Sequence, residues 1–214
     1  MKLRIGCLLL VLAFSLSTGV RVSGADSDES HRFRLHSATF ENNTTLPLST
    51  IFTSGSPNAC TLNGEPGGNQ SPELSWTGTP EDTRSFVVIM YDVTAAFTHW
   101  GMYNISGKRT GLPAGAGVAG STFGEQIYND YGIGEQYDGP CPPTTASPQT
   151  HEYVFTVYAL DTVLPILSAH GDFGGPYPEA LYNAVLAVTH DRHILASASI
   201  TGFYSAIAPP GSPE

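Results

Sequence analysis

The sequence predicts an all-β protein, an antiparallel β-sandwich with long Gly/Pro-rich loops and one or two short helices. Three observations predict it. The apolar stretches are short, rich in β-branched and aromatic residues, and lack a helical stripe. Segments dense in Gly, Pro, Asn, Ser and Thr separate them, notably Ser54 to Pro72 and Gly107 to Pro148. Gly (23) and Pro (16) are abundant among the 214 residues while charged residues make up only 13%, a composition that suits strands joined by long ordered loops better than packed helices.

Taken from the N-terminus, Lys2 and Arg4 precede a short apolar core, Ile5 to Leu16, and Ser23-Gly24-Ala25 supplies small residues for signal peptidase. Residues 1–25 are therefore expected to be a signal peptide, with Asp26 as the first mature residue. Ser15, Ser17, Thr18 and Gly19 break the apolar stretch, which argues against stable membrane insertion. The mature chain would be secreted or periplasmic: a flexible N-terminus at 26–32, one domain over 33–206, and a flexible tail at 207–214. Without Lys2, Arg4 and Arg21, 6 basic residues face 19 acidic ones, a net charge of −13 against −10 for the whole chain. Such a surface repels phosphate backbones at long range, so nucleic acid is an unsuitable partner, while a local anion pocket remains possible.

The run Arg84 to Asp92 (RSFVVIMYD) reads as a buried central strand, followed by strands at Phe97 to Ile105 and His151 to Leu160 and a late strand at Ile194 to Tyr204. One helix is expected over residues 178–188, where Pro178 and Glu179 suit a first turn and Leu181, Ala184, Val185 and Val188 share a face. Asn42, Asn43, Asn69 and Asn104 each begin an N-x-Ser/Thr sequon, to which no role is assigned. Two cysteines survive cleavage, Cys60 and Cys141. In an exported chain an even count favours a disulfide, two buried thiols being the alternative.

The chain has no Gly-x-Ser-x-Gly elbow, Walker loop, dinucleotide-binding glycine fingerprint or His-Glu-x-x-His. His190-Asp191-Arg192-His193 reads as a polar turn, since no third metal ligand lies near, and neither metal nor cofactor is expected. Strand parity is more informative. His151 and Tyr153 share a face at the start of their strand, Asp92 ends a buried strand at a sheet rim, and His99 follows early in the next strand. Asp92, His99, His151 and Tyr153 thus form a candidate cluster beside the stiff segment Asp138-Gly139-Pro140-Cys141-Pro142-Pro143.

Ser71-Pro72-Glu73-Leu74-Ser75-Trp76, Phe97-Thr98-His99-Trp100, Asn129-Asp130-Tyr131-Gly132, Tyr137 to Pro143, His151-Glu152-Tyr153-Val154-Phe155 and Gly202-Phe203-Tyr204 occur in that order. With these segments the chain resembles the phosphatidylethanolamine-binding proteins, in the bacterial Raf-kinase-inhibitor-like branch. The resemblance implies a β-sandwich with a small rim pocket for phosphate-like groups. Asp92, His99, His151 and Tyr153 fall on its pocket positions, and Gly139, Pro140 and Pro142 on its wall. It also places the loops of Cys60 and Cys141 near that rim. Two departures stand out. The family's Asp-Pro-Asp-Ala-Pro reads Asp92-Val93-Thr94-Ala95-Ala96 here, a loop expected to be more flexible, and its His-Arg-Tyr reads His151-Glu152-Tyr153.

The leading expectation is a binding protein for a small anionic ligand, phosphate or phosphoethanolamine-like, with both histidines donating to the anion. The alternative is a kinase- or protease-inhibitory protein that docks its pocket rim on a protein target. A hydrolase using His99 and His151 as acid and base lacks an activated nucleophile. N-terminal sequencing of the exported protein should start within a residue or two of Asp26; a retained Met1 in a membrane fraction would contradict the signal-peptide reading.

Overall fold

A strand can bury both faces only if nearly every residue is apolar, and Phe86 to Met90 satisfies this condition at the centre of the molecule. The computed structural model describes residues 32–53, 60–62, 64–132, 134–167 and 193–206. Its strands are β1 (Arg34–His36), β2 (Thr44–Thr45), β3 (Thr61–Leu62), β4 (Glu65–Pro66), β5 (Leu74–Thr77), β6 (Ser85–Asp92), β7 (Phe97–Ser106), β8 (Gly111–Leu112), β9 (Glu125–Gln126), β10 (Thr150–Leu160) and β11 (Ile194–Ser205). Six form one sheet in the order β2-β11-β10-β6-β7-β9, three form a second in the order β1-β5-β8, and β3 and β4 make a separate hairpin. All pairings are antiparallel except the two-residue contact of β2 with β11. The expected strands at 84–92, 97–105, 151–160 and 194–204 are all present.

The two sheets face each other across one core. Leu35 of β1, Leu74 and Trp76 of β5 and Leu112 of β8 meet Phe86, Val88, Met90, Trp100, Phe155, Val157 and Ile200 of the larger sheet. Trp76 rests on the Phe86 ring with centroids 4.8 Å apart. On the other face of β6, Val87 and Ile89 join Tyr103, Ile127, Leu160 and Leu164 in a second apolar cluster. The only regular helical element among the described residues is a turn of 3-10 helix at Leu48–Thr50. The helix expected at 178–188 and the tail at 207–214 lie outside the described residues. No described helix is long and apolar enough to cross a membrane.

Cys60 and Cys141 are joined in a disulfide with Cα atoms 4.9 Å apart. It ties the start of β3 to the segment before β10, which also bonds to the 3-10 turn region: Phe52 N–H donates to the Pro140 carbonyl at 3.1 Å and the Tyr137 hydroxyl to the Thr50 carbonyl at 2.7 Å. Gly139 is required here, because a Cβ would run into the Thr50 carbonyl. A bridge across 81 residues restricts the unfolded chain by about 4 kcal/mol in the entropic model. The Cys60→Ala/Cys141→Ala double variant should lose a comparable amount in urea unfolding; unchanged stability would show that the hydrogen bonds alone hold these segments.

Candidate functional site

Register places the site. Tyr153 of β10 sits opposite Asp92, the last residue of β6, and His151 lies two residues along on the same face, within reach of the Asp92 carboxylate. His151 Nδ1 and Asp92 Oδ2 are 2.7 Å apart. The second Asp92 oxygen accepts the backbone N–H groups of Thr94 and Ala95, both at 2.9 Å. Asp92 therefore ends the strand, caps the turn into β7 and fixes His151 as its Nδ1–H tautomer. The turn is not left loose by its missing prolines. Thr94 Oγ1 accepts the Glu152 N–H at 3.0 Å and the Val93 N–H reaches the Glu152 carbonyl at 3.0 Å, so the turn is pinned to the backbone of β10.

His99 reaches the same space by a different device. In the β6–β7 ladder Trp100 pairs with Met90 and Thr98 with Tyr91, leaving His99 as an extra residue in a bulge. Strict alternation would send His99 and Trp100 to opposite faces; the bulge turns His99 inward with its neighbours. Its ring lies 4.9 Å from Phe97 and 5.3 Å from Tyr153, centroid to centroid. Its Nδ1 is 2.8 Å from the Asp138 carbonyl. A carbonyl only accepts, so Nδ1 carries the proton and, in the neutral ring, Nε2 carries the lone pair. Burial lowers the His99 pKa to about 4, outweighing the opposing pull of the Asp138 carbonyl and the Asp92 carboxylate. The expectation that both histidines donate to an anion therefore needs correction. Near neutral pH the free nitrogen of His99 accepts.

Behind His99 stands a fully buried carboxylate. Asp138 accepts from Asn69 Nδ2 at 3.0 Å, Gln136 Nε2 at 3.0 Å and Asn129 Nδ2 at 2.7 Å. Asn69 also accepts the Gly139 N–H at 2.8 Å. One of the four sequon asparagines thus serves as a structural clamp.

The resulting pocket holds about 260 Å³ and is lined by Asp92, Ala95, Phe97, His99, Tyr131, Cys141, Pro142, Pro143, His151 and Tyr153. All four cluster residues are brought together. Of the expected wall, Pro142 lines the space while Gly139 and Pro140 lie buried behind it. Cys141 and Pro143 of the stiff segment also line the space, together with Ala95, Phe97 and Tyr131, which the sequence reading does not single out as site residues. Phe97 stood in an apolar strand and Tyr131 in a glycine-flanked loop, and only an aromatic side chain in such a loop could have flagged the latter. Tyr131 meets Phe97 edge to face at 4.8 Å and stacks on Phe52 at 5.2 Å. His193 lies at the far end of β10, paired with Asp161. His190, Asp191 and Arg192 lie outside the described residues, among which no three His, Cys, Asp or Glu side chains gather to hold a metal.

Within the pocket the Tyr153 hydroxyl is buried and makes no well-formed hydrogen bond to the described residues, with the Asp92 carboxylate as a close polar neighbour. Burial and the nearby Asp92 carboxylate push its pKa well above the ordinary phenol range, so the hydroxyl keeps its proton.

A family model described as phosphatidylethanolamine-binding protein matches residues 36–205. A UPF0098 protein of Methanothermobacter thermautotrophicus is 36% identical over 154 residues, covering 69% of this chain and 89% of its own. The UPF0098 protein YbhB of Escherichia coli is 37% identical over 149 residues, covering 66% of this chain and 85% of its own. The crystal structure of E. coli YbcL, described as a member of the mammalian PEBP family, superposes with a TM-score of 0.64 at 31% identity, over 81% of this chain and 98% of that one.

The depressed pKa of His99 has a stability consequence. An unfolded histidine titrates near about 6.5, so as pH falls from there to about 4 the unfolded chain takes up a proton that the folded chain refuses. Stability should drop by up to about 3 kcal/mol across that window and be fully present above it. Urea unfolding from pH 4 to 7 should show this slope in the parent and lose that part of it in His99→Gln; identical slopes in both would show that His99 titrates normally.

Proposed function

Because the chain belongs to the phosphatidylethanolamine-binding protein family, we propose that it is an exported binding protein whose rim pocket takes the oxyanion of a small phosphate-bearing ligand. The observation that carries this reading is the orphaned Tyr153 hydroxyl. A buried donor without a partner costs about 1–3 kcal/mol, and an acceptor oxygen entering the pocket removes that cost. On the protein side the Asp92 carboxylate lies close to this hydroxyl, but its two oxygens are already engaged by His151 and by the Thr94 and Ala95 N–H groups. The aromatic and proline walls, Phe97, Tyr131, Pro142 and Pro143, exclude water and strengthen each polar contact made inside.

The reading is one of binding rather than covalent catalysis. A nucleophile paired with His151 would need a reactive hydroxyl or thiol in the pocket. The lining hydroxyls belong to Tyr131 and Tyr153, both held protonated by burial, and Cys141 is committed to its disulfide. Asp92 and His151 then act as a rigid floor, with His151 presenting Nε2 to the ligand.

Tyr153→Phe separates function from stability. Removing one donor to a charged oxygen costs roughly 1.5–3 kcal/mol, so affinity for O-phosphoethanolamine at pH 6 should fall about ten- to a hundredfold in calorimetry. Stability of the unliganded protein should hold or rise slightly, because the hydroxyl removed makes no well-formed hydrogen bond. A variant that binds as tightly as the parent would overturn this reading.

A further inference from the structure

We propose that the pocket selects a phosphate group that carries its own acidic proton, a singly ionised phosphate monoester, and discriminates against phosphate diesters. The inference rests on the phosphate reading above and narrows it to one chemical class.

The argument is one of donors and acceptors. His99 cannot turn its donor towards the ligand, because Nδ1 is bonded to the Asp138 carbonyl and that carbonyl is fixed from several sides. The Asp138 N–H donates to the His99 carbonyl at 3.1 Å, the Asp138 carboxylate is clamped by three side-chain amides, and the next peptide is held by Asn69. The ring therefore offers an acceptor at Nε2, while Tyr153 offers a donor. A group that satisfies both has an O–H and an oxyanion on one centre. Singly ionised phosphate monoesters have this pattern: the P–OH donates to His99 and an unprotonated oxygen accepts from Tyr153. A diester has no P–OH and leaves two lone pairs facing each other. Protonation of His99, which would reverse its role, occurs only near pH 4.

Charge points the same way. The groups facing His99 are Asp92 from β6, His151 and Tyr153 from β10, and Tyr131 and Asp138 from the loops. The residues lining the pocket include no Lys or Arg. Arg84, Lys108 and Arg109 stand at the other end of the β6–β7 hairpin, roughly 25 Å away at strand spacing and beyond the screening length of about 8 Å. With Asp92 and Asp138 both close, a second negative charge on the ligand is opposed.

The test is calorimetric titration of the parent protein between pH 5 and 8 with three probes. These are O-phosphoethanolamine, its phosphorothioate analogue with a lower second pKa, and glycerophosphoethanolamine, the diester that carries lipid-headgroup chemistry. A phosphate monoester loses its last proton near about 6, so O-phosphoethanolamine affinity should fall roughly fiftyfold from pH 6 to pH 8. The midpoint of that fall should move to lower pH with the phosphorothioate, and the diester should bind at least tenfold more weakly than the monoester at pH 6. A midpoint identical for both monoesters would assign the titration to the protein rather than the ligand and overturn the proposal. Equal or tighter binding of the diester would overturn it too, and would point to a lipid headgroup as the source. Absence of binding by all three at every pH would instead overturn the phosphate reading on which the proposal rests.

Discussion

A carboxylate buried without a cation must be satisfied by hydrogen bonds, and at Asp138 that requirement organises the whole pocket end of the molecule. Asn69, Asn129 and Gln136 come from separate parts of the loop regions, and each must converge on the same two oxygens. The backbone of Asp138 is thereby held where its carbonyl meets His99 and where Gly139 can pack against the Thr50 carbonyl. The disulfide between Cys60 and Cys141 closes the same region covalently. Long Gly/Pro-rich loops order themselves here because they share one buried charge.

The β-strands and the buried carboxylate divide the labour. Strand register sets Asp92 opposite Tyr153 and so brings His151 onto Asp92, with tolerance only as wide as the ladder allows. The clamp sets the tautomer and orientation of His99, which the ladder alone would have turned away. The chemistry of the pocket follows from these two devices. One histidine is held by a carboxylate and the other by a carbonyl, and a phenol is left free to donate. Under the proposed function, an acidic protein would hold an oxyanion with such a set through oriented groups that act at short range.

The strands were legible in the sequence because their signal is local. RSFVVIMYD suits a buried strand because it is short, apolar and rich in β-branched residues, and the parity of His151 and Tyr153 follows from side-chain alternation. Membership of the family was legible through ordered segments such as Thr-His-Trp and Gly-Pro-Cys-Pro-Pro, which the family match over residues 36–205 supports. His99 was correctly placed in the cluster but for an incomplete reason, since the bulge that turns it inward leaves no mark in a stretch of apolar residues. The protonation pattern was not legible at all. It depends on Asp138 and Asn69, which are 69 residues apart, and no local pattern announces a contact of that kind. The same holds for Thr94, whose hydroxyl accepts the backbone N–H of residue 152 on β10.

The central claim is that Tyr153 waits for an oxyanion. The most direct measurement is the crystal structure of the protein with O-phosphoethanolamine at pH 6. The account predicts the phosphoryl group inside the pocket, one oxygen about 2.7 Å from the Tyr153 hydroxyl and another on His99 Nε2. Phosphate bound elsewhere, or bound in the pocket with the Tyr153 hydroxyl still unpartnered, would contradict it.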